Sequence, residues 1–325
     1  MITRRTALGL PLALLGPRVS LAASSSLAMV MNSGEASISV IDMDKHQVID
    51  TIPTYREPSH WALTPDRSKL YISDASGNAL FVFNPVTAAP LGHIRIADPY
   101  QLGYTPDQKY LVVNALRLNH VDVYDSATLK LVKRFSPGSM PSHLDFSPDS
   151  RYSFNSMQGG DTVVCFDLAT MAIRWTAHVG DTPAGVLWHN GKVLVAVMGE
   201  NFVAELDPVS GLINRRVVTG NGAHNIFLPP DRSVLYVSNR LEGSLSVLDP
   251  VSLEVRRTYT LPGGPDDIGI APDGKLWIAL RFAEAVAVLD PASGDYISIP
   301  VGRSPHGIFL STELQQKGRL TAEVL

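Results

Sequence analysis

SISVID (37–42), ALFVFN (79–84), HVDVYD (120–125), TVVCFD (162–167), FVAELD (202–207), SLSVLD (244–249) and AVAVLD (285–290) are seven versions of one segment. Their closing residues, Asp42, Asn84, Asp125, Asp167, Asp207, Asp249 and Asp290, recur every 40 to 42 positions. Self-similarity at a fixed period of that size marks a repeat architecture. Each run is rich in Val, Ile, Leu or Phe over a strand's length, which predicts a β-strand buried between sheets. The closing side chain has a local task, because its oxygen can accept backbone N–H groups of the turn that follows. These aspartates are therefore read as hairpin chemistry and not as catalysts.

A second marker closes another apolar run in each unit: LTPDRS (63–68), YTPDQK (104–109), FSPDSR (146–151), WHNGKV (188–193), PPDRSV (229–234) and APDGKL (271–276). A turn residue precedes each of these, at Pro58, Pro99, Pro141, Pro183, Ala223 and Pro265, and Pro305 repeats it near the C-terminus. Each unit then reads turn, strand, Pro-Asp turn, strand, loop, strand, Asp turn, strand, which is one blade of a propeller. The N-terminal stretch supplies three strands without a first one, and SPHGIFL (304–310) supplies a first strand without the rest. The expected fold is all-β: a seven-bladed β-propeller of four-stranded antiparallel blades, closed by a split blade that removes the open edges. It would occupy residues 27–313, with 314–325 as a tail.

The chain's 325 residues are 45% hydrophobic and 18% charged, enough for a large buried core and too apolar for disorder. Its 25 Gly and 23 Pro are spread along the length, as periodic turns require. A net charge of −4 gives no basis for non-specific attraction to nucleic acid, and none is expected as a partner. A single cysteine, Cys165, excludes an intrachain disulfide and any multi-cysteine metal site. It lies in an apolar strand and reads as a small buried hydrophobe.

Residues 1–26, MITRRTALGLPLALLGPRVSLAASSS, have a basic pair, a short apolar run and small residues, the layout of a secretory signal. The apolar run is about half the roughly 20 residues a membrane span needs, so no anchor is expected after cleavage. Arg4-Arg5 resembles a twin-arginine signal, with Sec export the alternative. Either route implies a periplasmic or secreted protein.

The strings LYISD (70–74) and LYVSN (235–239), with the Pro-x-His-x-x-x-x-Pro-Asp spacing, resemble the YVTN-repeat, YncE-like propellers of bacterial periplasms. The resemblance covers roughly residues 28 to 312 and implies the fold. It does not name an activity, because these motifs build blades.

Blade topology puts functional candidates at one end of the channel. The innermost strand begins there with Ser59-His60, Tyr100-Gln101, Ser142-His143, Ala184-Gly185, His224-Asn225, Asp266-Asp267 and His306-Gly307. Four of the nine histidines fall in these positions. The loops on the same face are entered at Asn32, Asp74, Ala115, Met157, Met198, Asn239 and Arg281, with Arg281 read in the place of the repeat's Asn or Asp. The candidate ligand-binding set is His60, Gln101, His143, His224, Asn225, Asp266, Asp267, His306, Asn32, Asp74, Asn239 and Arg281. Histidines here can tie blades together by hydrogen bonds; alternatively His60, His143, His224 and His306 could hold a transition metal, or one of them a haem iron. Arg56, Arg117, Arg240, Arg281 and Arg303 lie on or near the same face, and solvated loop arginines explain them as well as a basic face for nucleic acid would.

Neither a nucleophile elbow, a zinc helix nor a phosphate loop occurs. The leading expectation is an exported, monomeric propeller without catalysis that binds a small molecule or a periplasmic protein at the channel mouth. The resemblance implies, as alternatives, a cofactor-handling propeller like the haem domain of periplasmic nitrite reductases or their maturation proteins, and a propeller lactonase. A lactonase needs several carboxylates converging on a metal, and here they are scattered.

Overall fold

The computed structural model describes residues 26–315. Most of the signal assigned to 1–26, and the tail from 316 on, lie outside the described residues. Within them the chain forms seven four-stranded antiparallel sheets, arranged as the blades of a propeller. Blade 1 is the split one, in the order Pro305–Leu310, Leu27–Asn32, Ser37–Asp42, Gln47–Pro53. The inner strands of blades 2 to 7 are Pro58–Leu63, Pro99–Tyr104, Pro141–Phe146, Pro183–His189, Ala223–Phe227 and Pro265–Ile270. Every inner strand thus starts at the turn residue that the repeat marks.

Burial follows position in the blade. The three inner strands of each sheet are almost wholly buried, whereas outer strands such as Gln47–Pro53 and Leu131–Phe135 alternate or face water. The apolar residues form clusters between neighbouring blades; one runs from Met29 and Met31 of blade 1 through Trp61 and Ile72 to Leu102 and Val113 of blade 3. Cys165 is fully buried, and that burial pushes its thiol up to about 12.

The turn aspartates do what their spacing implies. Asp42, Asp167, Asp207 and Asp249, and Asn84 likewise, each accept N–H groups two and three residues further on. In the Pro-Asp turns, Asp66, Asp107 and Asp149 accept the hydroxyls of Thr64, Thr105 and Ser147.

Closure of the ring uses more than the ladder between Leu27–Asn32 and Pro305–Leu310. The Leu27 N–H donates to Ser311 Oγ (2.8 Å), and the Trp61 indole donates to the Ile308 carbonyl (2.8 Å). A 3₁₀ turn at Ser311–Gln315 then seats Glu313 in the interior, where Arg67 donates to the carbonyls of Glu313 and Leu314.

Candidate binding site at one end of the channel

In all seven blades the pairing of the innermost strand with its neighbour shifts register just after the starting turn residue, between Pro58 and Trp61 for instance. A bulge presents consecutive side chains where a regular ladder would alternate them. It also strands a backbone N–H. In blades 2, 4 and 6 the second strand supplies the acceptor: the N–H groups of His60, His143 and Asn225 donate to Ser73, Ser156 and Ser238 Oγ (3.0, 3.0 and 3.2 Å). Ser73 and Ser238 are the serines of LYISD and LYVSN, so that string shapes the inner strand.

The four histidines meet across the channel and do not stand around an opening. His306 packs on His60 (ring centroids 4.6 Å), His60 on His143 (5.3 Å) and His143 on His224 (5.3 Å), all edge to face. Tyr100 closes on His60 (4.7 Å) and on His306 (5.7 Å). All four imidazoles are buried. Burial holds His60 down at about 3 and keeps His143, His224 and His306 well below the usual histidine range, so the rings are neutral. Tyr100 is pushed up to about 12 by the same burial.

Asp266 is the centre of charge, and it is fully buried. Its Oδ1 accepts from Arg240 (2.6 Å) and lies 3.0 Å from His224 Nδ1, while its Oδ2 accepts from Arg281 (3.1 Å). Burial opposes ionisation of this carboxyl, but the Arg240 and Arg281 guanidinium groups hold it well below the usual carboxylate range. Arg240 also contacts His224 Nε2 and the Met198 sulfur. One carboxylate therefore hydrogen-bonds two guanidinium groups, the neutral rings add no charge, and Glu57 acts on Arg281 without a hydrogen bond to it. Further out the balance reverses, because Arg117 is shared between Glu57 and Asp98.

Several residues expected to face a ligand are instead structural. Asp74 accepts the N–H groups of Tyr55, Arg56, Glu57 and Gly77, which uses its carboxylate to hold two loops. Asn32 donates to Ser37 and Ser39, and Asn239 donates to Ser244 and Ser246 while accepting from Gly220. Gln101 and Asp267 accept the N–H groups of Leu144 and Ile308 in the next blade, and Asn225 accepts its own neighbour's, Ile226. An innermost strand leaves its channel-side N–H groups unpaired, and these side chains satisfy them.

Arg281 is also re-registered. Leu280, not Arg281, pairs across the loop as Asn239 does, with Ala285 and Ser244 respectively. Arg281 is thus the counterpart of Arg240, one position further on, and both turn inward. The reading of Arg240 as a solvated loop residue missed this; the available signal was an arginine directly after the second strand in blades 6 and 7 alike.

For a metal the residues do not fit as they stand. Among the described residues no three His, Cys, Asp or Glu side chains come together as a ligand set. The four imidazoles are buried and packed edge to face on one another, which leaves no room beside them for a haem plane.

Fold and site together define a class: a propeller whose channel is plugged at one end by buried aromatic and charged side chains. The chain belongs to the YncE-like β-propeller family, whose model matches residues 7–314. It is 22% identical to the uncharacterized protein YwhL of Bacillus subtilis over 87% of this chain and 64% of that protein. It is 29% identical to antigen Lp49 of Leptospira interrogans over 37% of this chain and 30% of that protein. The chain thus spans less than two thirds of either relative. Among solved structures, a functionally unknown protein from Desulfotomaculum acetoxidans superposes with a TM-score of 0.73 at 17% identity, over 88% of this chain and 99% of that one. The periplasmic gluconolactonase PpgL of Pseudomonas aeruginosa gives 0.69 at 18% identity, over 88% and 98%. The dihydro-heme d1 dehydrogenase NirN gives 0.66 at 16%, over 93% and 79%. At such identities these likenesses establish the fold alone.

Proposed function

We propose that this protein is an exported, monomeric propeller that binds a small anionic molecule at the histidine end of its channel, without catalysing a reaction on it. The observation that carries the reading is the charge imbalance at Asp266, one buried carboxylate between Arg240 and Arg281 among neutral imidazoles. Asp266 hydrogen-bonds both half-buried guanidinium groups but carries charge enough to neutralise one, and an anion that supplies the second charge gains from what this carboxylate leaves unbalanced. Both guanidinium groups keep some exposure, 13% and 23% for their side chains, so an anion from solvent can reach them.

Titration calorimetry with benzoate as probe tests this. Benzoate should bind in the millimolar range or tighter, and Arg281→Ala or Arg240→Ala should each weaken it by about tenfold, as loss of a charged hydrogen bond does. Unchanged affinity in both variants would refute the reading. Export is tested separately by cell fractionation: Arg4→Lys with Arg5→Lys should retain the protein in the cytoplasm if the twin-arginine route is used, and should leave it exported if Sec is.

A further inference from the structure

The opposite end of the channel holds a cavity of about 420 Å³ lined by Pro106, Asp145, Phe146, Pro148, Trp188, Asn190, Gly191 and Arg232. Its walls are mainly apolar. Trp188 is the last residue but one of the inner strand of blade 5, and its indole is stacked on Phe154 (centroids 5.7 Å, planes 21° apart), which fixes it as a wall. Asp145 sits near the end of the inner strand of blade 4 and is buried. Its Oδ1 accepts the Phe146 N–H (2.7 Å) and its Oδ2 accepts the Trp188 N–H of the next blade (2.6 Å).

That inter-blade bond explains an acceptor at this position but not a charge. Gln101 makes the same kind of bond to Leu144 with a neutral amide. Among the described residues no cation forms an ion pair with Asp145. Arg232 is the one charged group beside it in the lining, and it does not figure among the influences on Asp145, whereas it does on His189. The neighbouring Asp107 and Asp149 carboxylates are engaged by their own turns, and His189 Nε2 lies against the Pro250 carbonyl. Burial accordingly pushes the Asp145 carboxyl up to about 7 against the pull of its two N–H donors.

We propose that this cavity is a second binding site, for a small organic ammonium ion with an apolar body. The ammonium donates to the remaining lone pairs of Asp145 and supplies the counter-charge the carboxylate lacks. The apolar body lies against Trp188 and the two prolines, and an ammonium close to an indole face gains further from its quadrupole. Cavities of this size, mainly apolar with a few polar or charged groups in the lining, are what small-molecule sites look like. The site is independent of the histidine end and stands or falls without it.

Benzylamine is the probe, titrated calorimetrically into the full-length protein. It should bind at about pH 8 and weaken by about tenfold or more at about pH 5.5, where Asp145 is protonated. Asp145→Asn should lose about tenfold in affinity at about pH 8 and abolish the pH dependence. Trp188→Leu, which keeps the backbone N–H that Asp145 needs, should also weaken benzylamine, and it decides the matter if Asp145→Asn does not fold. Benzoate binding at the other end should be untouched in both. Absence of benzylamine binding to the unaltered protein, or equal affinity in either variant, would overturn the proposal.

Discussion

Two aspartates show how little the residue type says about its role. Asp74 and Asp266 are both fully buried on the same face of the ring. Asp74 meets four backbone N–H groups and therefore works as a structural clasp. Asp74→Ala should cost about 3 kcal/mol or more in urea unfolding, since several buried donors lose their acceptor at once, yet leave benzoate affinity unchanged. Asp266 meets guanidinium groups. Asp266→Asn should cost roughly 3–5 kcal/mol, because removing one partner leaves buried cations uncompensated, and it should change benzoate affinity as well. The repeat spacing identified both positions but could not separate them, because the amides around Asp74 come from the preceding loop at Tyr55–Glu57. Their approach is a matter of loop conformation, on which the residue pattern is silent.

At the scale of the strand, the bulge and its serine are the device that builds the site. Ser73→Ala leaves the His60 N–H without its acceptor and should cost about 1–3 kcal/mol, measured as a lowered unfolding midpoint, whereas Ser73→Thr should restore most of it. Strand starts were legible to the residue, since Pro58, Pro99, Pro141, Pro183, Pro265 and Pro305 each open an inner strand. The loops after the second strands were less legible. Only blades 1, 2 and 6 mark this corner with Asn or Asp; in blades 3, 4, 5 and 7 it is held by Ala115, Met157, Val197 and Leu280, which pair normally across the loop. Where the sign is missing the register is open by one residue, as at Met198 and Arg281, and that slip hides the kinship of Arg240 with Arg281. The convergence of the histidines was legible as enrichment at one register; that they would stack and fill the channel was not, because it depends on the ring's diameter and on side chains crossing from four different blades.

For the whole molecule, buried titratable groups set the response to acid. The four imidazoles are held neutral in the fold and would titrate near 6.5 when unfolded, so the unfolded state binds more protons as pH falls. Their contribution is present above about 6.5 and is lost below it. At about pH 4.5 His60 alone should cost the native state about 2–3 kcal/mol. Asp145 runs the other way, its stabilisation complete at low pH and lost as pH rises toward 7. Differential scanning across pH 4 to 8 should therefore show a midpoint that drops steeply on the acid side, and His60→Asn should make that drop shallower. The split blade has a further consequence, for the order of events during synthesis. The strand that completes the first blade, Pro305–Leu310, is made long after Leu27–Asn32, with the other six blades between them. At translation rates of about 5–20 residues per second, Leu27–Asn32 waits roughly 15–60 s for its partner. Through that interval the nascent chain carries unpaired strand edges, and a holdase that covers them would act on this protein until Pro305–Leu310 closes the ring.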